Sequence, residues 1–279
     1  MDTPRRSLYR SSLWEIARPR VPLTVGHLLI RLTDPSEAFT LGSATDWLRC
    51  YRAAASALRT VAGAEHIGLM FAVGWHPLGD AVGEPVAESS TPTFHLFGRW
   101  PGERTTPAAQ LLLPARRRRA APQDDVDDVD AGLRAALPAA AVRPSDLANE
   151  VGPLGSPGEA GVEGPGWQVE GSPAHRMLVP RLPINSIDEA APQDLLSAAR
   201  VLQSGQASGP LQHAGLSCVV AYSEATTSAE GPSAPSPGGA AAVANPRTVV
   251  IHVLKRTRAE ASNPLEELLG SAEVRQTLL

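Results

Sequence analysis

The feature that most constrains the fold of this chain is a series of segments that occurs twice. Each series consists of a short apolar strand, an amphipathic helix, a second apolar strand and a closing strand that carries one histidine. His95 lies in the first closing strand, Phe-His-Leu-Phe-Gly-Arg, and His252 in the second, Ile-His-Val-Leu-Lys-Arg. A segment order that recurs within one chain indicates a duplicated structural unit. The sequence therefore predicts an α+β protein built from two copies of one small module.

The strands of both copies are short apolar runs bounded by turn residues, a pattern typical of buried strands. They are Gly26–Ile30, Ile67–Val73 and Thr93–Phe97 in the first copy, and Ala174–Pro180, Leu216–Tyr222 and Val250–Leu254 in the second. We expect each copy to form an antiparallel sheet with its helix packed across one face. We also expect the two copies to pack as a pseudo-twofold pair.

Apolar residues at helical spacing predict one helix in each copy. In the first copy, Ser43 and Asp46 read as a capping pair at the helix start. The apolar face that follows consists of Trp47, Leu48, Tyr51, Ala55 and Leu58. In the second copy, Pro192 fits the first helical turn and Gly205 fits the stop.

Composition divides the chain into two modules, residues 10–103 and 166–279, joined by a low-complexity linker at 104–165. The linker contains four consecutive arginines and then a run rich in aspartate, and it ends in Gly-Pro-rich sequence. Opposite charge blocks with few large apolar residues favour a solvated segment, with a short helix over Val129–Leu137.

Two further segments of the second module differ in composition from its strands. Residues 223–246 are mostly Ala, Ser, Gly and Pro, which predicts a mobile loop. Asn263 followed by Pro264 predicts the start of a C-terminal helix. Its leucines are available for docking on the sheet or on a partner protein.

Charge and length exclude some classes of function. The net charge of −4 gives no sign of a nucleic-acid or membrane partner, and no apolar run has the length of a signal peptide or a bilayer span. Lys255 is the single lysine among 25 basic residues, a bias more typical of a GC-rich bacterial genome than of phosphate binding. Cys50 and Cys218 are too few for a disulfide framework or a cysteine metal site. We expect a soluble, cytoplasmic protein with no metal and no cofactor.

The order of elements and three local motifs resemble the histidine-triad superfamily. Gly26–Ile30 is similar to its Gly-His-Leu-Leu-Val strand, and the sequence His-Leu-Phe-Gly-Arg from His95 is similar to its His-Val-Leu-Pro-Arg strand end. Met177–Arg181 of the second copy is similar to the family's Leu-Val-Val-Pro-Arg. The superfamily includes galactose-1-phosphate uridylyltransferase and the diadenosine tetraphosphate phosphorylases, which carry two such modules in one chain. The resemblance implies that architecture here.

The resemblance also implies a nucleotidyl-transfer site, and the sequence departs from it at the reactive positions. The middle imidazole of the family's His-x-His-x-His motif attacks the phosphorus, while the flanking groups hold phosphate oxygens. With His95 at the third position, Thr91 and Thr93 occupy the first two, and the second copy has Thr248 and Val250 there. Neither copy keeps the nucleophile, so the family's activity cannot be carried over.

Five residues of the first copy form the candidate site. Thr93 and His95 are the candidate catalytic residues, because a hydroxyl two positions from an imidazole shares its strand face. Thr91, Arg99 and His76 are candidate phosphate or nucleotide contacts. Each residue type also has a structural explanation. His95 would be satisfied by a backbone carbonyl, Arg99 would be ion-paired or solvated, and His76 would belong to a turn-rich connection.

Two hypotheses for function remain open. The first is a catalytically degenerate nucleotidyltransferase-like protein that binds a nucleotide or nucleotide-sugar, or acts as a structural or regulatory partner. The second is an active nucleotidyltransferase, phosphorylase or hydrolase with a non-standard site around Thr93 and His95. Loss of the upstream histidines favours the first hypothesis. A protein partner would contact the linker or the C-terminal helix.

Overall fold

The computed structural model describes residues 6–74, 92–141, 166–172, 174–207, 215–224, 247–256 and 264–278. Their strands are β1 (Ser7–Arg10), β2 (Trp14–Ala17), β3 (His27–Leu32), β4 (His66–Val73), β5 (Thr93–Arg99), β6 (Trp167–Gly171), β7 (His175–Pro180), β8 (Gly215–Glu224) and β9 (Arg247–Arg256). Their α-helices are α1 (Leu41–Ala62), α2 (Pro107–Leu111), α3 (Gln123–Ala141), α4 (Pro192–Ala207), α5 (Pro264–Leu268) and α6 (Ala272–Leu278). Among these described helices, none combines the length and apolar character needed to cross a bilayer.

The strands β1 to β9 form one sheet in the order β1-β2-β3-β5-β4-β8-β9-β7-β6, and every neighbouring pair is antiparallel. The predicted α+β class with antiparallel strands is confirmed. The strands of the two copies meet where β4 pairs with β8, with Met70 opposite Val219. The two predicted sheets are therefore merged through their edge strands into one continuous sheet, because the edge strand of each hydrogen-bonds to the other.

Helices cover both faces of this sheet. The helices α1, α3 and α4 bury one apolar cluster, which includes Trp14 and Leu58. The helices α2, α5 and α6 bury a second cluster, which includes Met70 and Phe97. A strand covered on both faces needs apolar side chains at successive positions. This explains why β9 is buried without interruption over residues 248–254.

The first helix begins at a different cap from the one predicted. Thr40 is the N-cap, and its side chain accepts a hydrogen bond from the backbone N–H of Ser43. Asp46 lies buried inside α1, where its carboxylate accepts hydrogen bonds from Ser11 Oγ and the backbone N–H of Leu13, both at 2.8 Å. The predicted Ser43–Asp46 capping pair is therefore wrong, because Asp46 holds a distant loop rather than the helix start.

Part of the expected linker is a packed helix. The helix α3 is longer than the predicted 129–137 and packs on α1. Its buried residues recur at helical spacing: Val126, Asp130, Leu133 and Leu137. Asp130 accepts a hydrogen bond from Arg18 Nε at 2.9 Å, and both side chains of this ion pair are buried. The aspartates that indicated a solvated segment lie in the first turns of α3, where the helix dipole stabilises negative charge.

The second copy agrees with prediction at its strands and departs from it at helix ends. The helix α4 begins at Pro192 as predicted and continues through Gly205, so the predicted stop is wrong. A glycine costs a helix about 1 kcal/mol and does not by itself end it. The C-terminal segment forms the two short helices α5 and α6 on the sheet. Of the predicted loop at 223–246, the first two residues end β8 and the remainder lies outside the described residues.

Candidate functional site

The two histidine strands place His95 and His252 on one face of the sheet. The cross-strand register of this row is Leu29, His95, Met70, Val219, His252 and Met177. Residues directly opposite on neighbouring strands share a face. The two histidines are three strands apart, which corresponds to about 14 Å. We call this surface the histidine face. It is the face that α2, α5 and α6 cover.

His95 is paired with a second histidine. Its Nδ1 lies 3.0 Å from Nε2 of His27 on β3. His27 stacks on Phe97 with ring centroids 4.3 Å apart, and its Nδ1 accepts a hydrogen bond from the backbone N–H of Leu23 at 3.2 Å. A neutral imidazole nitrogen that accepts carries no proton, so His27 bears its proton on Nε2 and donates it to His95 Nδ1. His95 therefore carries its own proton on Nε2.

Both imidazoles of this pair are neutral at physiological pH. His27 is 2% exposed and His95 is 7% exposed. Burial lowers the pKa of His95 to about 3. Burial, and then the neighbouring His95 and Arg18, lower the pKa of His27 well below its ordinary value. The pair is thus an uncharged hydrogen-bonded chain that ends at His95 Nε2–H, which can donate a hydrogen bond but cannot attack phosphorus.

The second copy contains a matching pair. Nε2 of His175 lies 3.1 Å from Nδ1 of His252, which is 1% exposed. Burial, and then His175, lower the pKa of His252 to about 4, against an opposing effect of Glu273. Nε2 of His252 is buried without a hydrogen-bond partner and lies 3.6 Å from Oε2 of Glu273 on α6. The other oxygen of that carboxylate accepts a hydrogen bond from Ser223 Oγ at 2.8 Å.

His27 and His175 are the site residues that sequence reasoning missed as partners. Spacing along the chain points to no partner for either residue, because each partner lies 68 or 77 residues away on the neighbouring strand. The usable signal is their equivalent place on the first predicted strand of each copy. An antiparallel neighbour that carries a histidine then brings two imidazoles to one face.

The structure describes three of the five predicted site residues. Thr93 is half-buried and lies on the same strand face as His95, two residues away. Arg99 shares that face but lies four residues along β5 from His95, so their Cα atoms are about 13 Å apart. Thr91 and His76 lie outside the described residues. The structure therefore brings His95 to His27 and separates it from Arg99.

Arg99 has a partner of its own. It is buried and forms an ion pair with Glu103, which follows it by four residues. Burial raises the pKa of Glu103, and the hydrogen bond from Arg99 acts in the opposite direction. This pairing corresponds to the structural explanation for Arg99, in a buried rather than a surface position. Nη1 of Arg99 is buried without a hydrogen-bond partner.

The second copy has no hydroxyl beside its histidine at the nucleophile position. Val250 is buried there, and the hydroxyl of Thr248 accepts a hydrogen bond from the backbone N–H of Ile184 at 3.3 Å. Within the described ranges, no three His, Cys, Asp or Glu side chains cluster in a way that could hold a metal ion. Cys50 and Cys218 are buried free thiols, and burial raises the pKa of Cys50 to about 12.

Two solved structures are similar to this one. A HIT-like protein involved in cell-cycle regulation, from Bartonella henselae, matches with a TM-score of 0.29 and 17% identity, over 47% of this chain and 85% of its own. A GalT-like protein from Arabidopsis thaliana matches with a TM-score of 0.42 and 9% identity, over 94% of this chain and 82% of its own. No protein-family model and no curated protein matches the sequence. The descriptions of these two structures, HIT-like and GalT-like, agree with the expected resemblance to the histidine-triad superfamily. Both TM-scores are below 0.5, so the matches carry no further argument about fold or activity.

Proposed function

We propose that this chain is a duplicated histidine-triad-like protein that has lost catalysis and binds a phosphate-bearing ligand, a nucleotide or nucleotide-sugar, without transforming it. The duplication relates the two copies by an approximate twofold axis at the β4–β8 pair. Strand order supports this, because it reads β2-β3-β5-β4 toward the axis from one side and β6-β7-β9-β8 from the other. In each copy a helix, α1 or α4, follows the second of these strands in sequence.

Matching hydrogen bonds also support the duplication. Trp14 at the start of β2 donates from Nε1 to the carbonyl of Ser43, the third residue of α1, at 2.9 Å. Trp167 at the start of β6 donates from Nε1 to the carbonyl of Asp194, the third residue of α4, at 3.0 Å. The two His–His pairs repeat in the same way. Two such correspondences at equivalent places are more economically explained by one ancestral module than by chance.

The loss of catalysis is inferred from one observation, the hydrogen-bond pattern of the His27–His95 pair, which assigns the ring protons. His95 Nδ1 is engaged by His27, and His95 Nε2 already carries a proton. No lone pair of His95 is then available to attack a phosphorus or to remove the proton of the Thr93 hydroxyl. The same Nε2–H is a suitable donor to a phosphoryl oxygen, so the site keeps a binding role.

The experiment is a ligand screen that measures binding and chemistry separately. Thermal unfolding is recorded with nucleoside mono- and diphosphates, dinucleoside polyphosphates and nucleotide-sugars. A ligand at about 100 times its Kd should raise the midpoint by on the order of 5 °C or more. The same mixtures are analysed by intact-protein mass spectrometry for a covalent nucleotidyl adduct and by chromatography for ligand turnover. We expect binding with neither adduct nor turnover.

Two variants make the screen decisive. His95→Ala should lower the affinity for the bound ligand, whereas His66→Ala, at an exposed histidine that begins β4, should leave it unchanged. A covalent adduct or turnover that disappears in His95→Ala would support the active nucleotidyltransferase, phosphorylase or hydrolase instead. Absence of a midpoint shift with every ligand would remove nucleotide binding and leave a structural or regulatory role.

A further inference from the structure

The C-terminal segment, residues 264–278, lies on the histidine face between the two His–His pairs. Its buried side chains are Leu265, Leu268, Leu269, Val274 and Leu278, which share one apolar cluster with Met70, Phe97 and Val219. The helix α6 contacts β4 and β5 of the first copy as well as β8 of the second. Any ligand on the centre of the histidine face must therefore displace this segment.

One charged side chain of this segment faces the second histidine pair. Glu273 places Oε1 2.8 Å from Ser223 Oγ, which donates to it, and Oε2 3.6 Å from His252 Nε2. Ser223 belongs to β8 and His252 to β9, so two polar groups from neighbouring strands converge on one carboxylate. We call these two groups the anion seat. The Glu273 side chain is 36% exposed, so solvent and solutes reach its carboxylate.

The hydrogen-bonding state of His252 indicates that Glu273 occupies the anion seat imperfectly. The Nε2 atom of His252 is buried and has no hydrogen-bond partner, and it lies 3.6 Å from Oε2 of Glu273. A buried polar atom left without a partner costs free energy that a better-placed acceptor would recover. A tetrahedral phosphoryl group carries three oxygens and can reach both the hydroxyl and the imidazole, which the planar carboxylate does not.

We propose that Glu273 is an internal occupant of an anion-binding seat formed by Ser223 and His252, and that residues 264–278 act as an autoinhibitory strap which a phosphoryl group displaces. The strap closes the histidine face when no ligand is bound. Ligand and Glu273 exclude each other, because both place negative oxygens at the same two donors. The inference rests on the proposed function for the class of ligand, a phosphate-bearing molecule. It adds a second binding site, at Ser223 and His252, and an internal segment that controls access to it.

The first experiment measures phosphate and AMP binding by NMR of protein labelled with 15N at the histidine rings. In Glu273→Ala the seat is vacated, and we expect inorganic phosphate and AMP to bind at least about 10-fold more tightly than in the wild type, with the His252 ring signals shifting. Glu273→Gln keeps the shape and removes the charge, and it should give a smaller gain in affinity. Glu266→Gln, at an exposed residue of α5, is the matched control and should bind as the wild type does.

The second experiment follows the strap directly. Hydrogen exchange of the backbone amides in residues 264–278 should accelerate when phosphate saturates the wild-type protein, while amides of α1 keep their protection. Unchanged affinity in both Glu273 variants, or saturation by phosphate without faster exchange in the strap, would overturn the proposal. Circular dichroism of Glu273→Gln establishes that the variant compared is folded.

The outcomes separate this proposal from the proposed function. Nucleotide binding that requires His95 but does not respond to Glu273 variants leaves the proposed function and removes the strap. Phosphate binding that is tighter in Glu273→Ala, together with nucleotide binding that is unchanged in His95→Ala, supports the strap and removes the role of His95.

Discussion

Burial away from water lowers the pKa of a histidine, because it disfavours the charged ring. Three histidines of the described ranges are buried on one face of this sheet. His27, His95 and His252 all have pKa values below the ordinary range, chiefly because burial disfavours the charged imidazolium. In each pair the ring nitrogens of the two histidines lie at hydrogen-bond distance from each other. At the residue scale, stability and pH should therefore be linked through these side chains.

The sign of this linkage follows from the direction of the shifts. In the unfolded chain His95 titrates near 6.5, and in the folded protein its pKa is about 3. Between these values the unfolded state binds the proton and the folded state does not. Stability is therefore fully present above about pH 6.5 and falls as the pH drops toward 3, by up to about 1.4 kcal/mol per pH unit for each such histidine.

Urea unfolding between pH 4.5 and 7 measures this slope. His95→Gln should flatten the dependence of the unfolding free energy on pH by nearly one proton, even if it lowers stability at every pH. His66→Gln, at an exposed residue, should leave the slope unchanged. An identical slope in His95→Gln and the wild type would contradict the burial of a neutral His95.

The buried Arg18–Asp130 ion pair gives a second prediction at this scale. Asp130→Ala leaves the Arg18 guanidinium buried without its counter-ion, and we expect a loss of about 3–5 kcal/mol in the free energy of unfolding. Asp128→Ala, at an exposed position of the same helix, should change it by less than about 0.5 kcal/mol. Replacing both partners, Arg18→Met with Asp130→Leu, should cost less than Asp130→Ala alone. Chemical denaturation of the four proteins tests the order.

At the scale of elements, sequence predicts what depends on local pattern and misses what depends on contact. The strands β3, β4, β5, β7, β8 and β9 follow from apolar runs, and the start of α4 follows from a proline at the first turn. No apolar run predicts β1, β2 or β6. The N-cap of α1 cannot be read from local pattern, because Asp46 is hydrogen-bonded to Ser11 and Leu13 of a distant loop. The length of α3 cannot be read from local pattern either. Its charged residues predict a solvated segment, but its apolar face packs on α1 and stabilises the helix.

The candidate site shows the same division. The strand that carries His95 and the shared face of Thr93 are readable from period-two alternation. The partners His27 and His175 are not, because the order of strands in the sheet decides which side chains meet. Glu273 reaches the site only through the docking of α6; the leucines of the C-terminal segment predict docking on the sheet, but no local pattern shows which side chains Glu273 meets.

The contact between α6 and β4 is so close that one added methyl group at Gly68 tests it. A Cβ added at Gly68 would lie 2.8 Å from the backbone carbonyl oxygen of Thr277. Gly68→Ala should therefore push α6 off the sheet and speed hydrogen exchange in residues 272–278, with a loss of about 1–3 kcal/mol in stability. Gly42→Ala, whose Cβ would have no close neighbour at the start of α1, should be neutral or slightly stabilising. Equal exchange of α6 in both variants would contradict this contact.

At the scale of the whole molecule, the two halves of the sheet, β1 to β5 and β6 to β9, depend on each other. The sheet is continuous through β4 and β8, and α6 of the second copy packs on β4 and β5 of the first. On the opposite face of the sheet, Arg52 of α1 donates from Nε to the carbonyl of Asp188 at 2.9 Å. Arg59 of the same helix forms an ion pair with the Asp188 carboxylate at 2.8 Å. Separation would expose apolar surface on both faces and an unpaired edge strand.

Two fragments, residues 1–141 and 166–279, test this dependence. Neither fragment should unfold cooperatively in urea when it is expressed alone, since each loses a strand partner and part of its apolar cover. Mixed or co-expressed, they should associate and recover a single cooperative transition. A cooperative transition in either isolated fragment would show that the copies fold independently.

The helix that closes the histidine face comes after every strand it covers, and this order matters during synthesis. The apolar side chains Met70 and Phe97 are made early, yet residues 264–278, which help to bury them, follow the last strand of the sheet. While the ribosome translates the intervening chain, this apolar face lacks the cover that residues 264–278 provide, and the edge of β4 is open. Nascent chains in this state are vulnerable to aggregation and are suitable clients for chaperones. The protein should therefore reach its folded state only after synthesis has passed residue 278, and its yield in cells should depend on that interval.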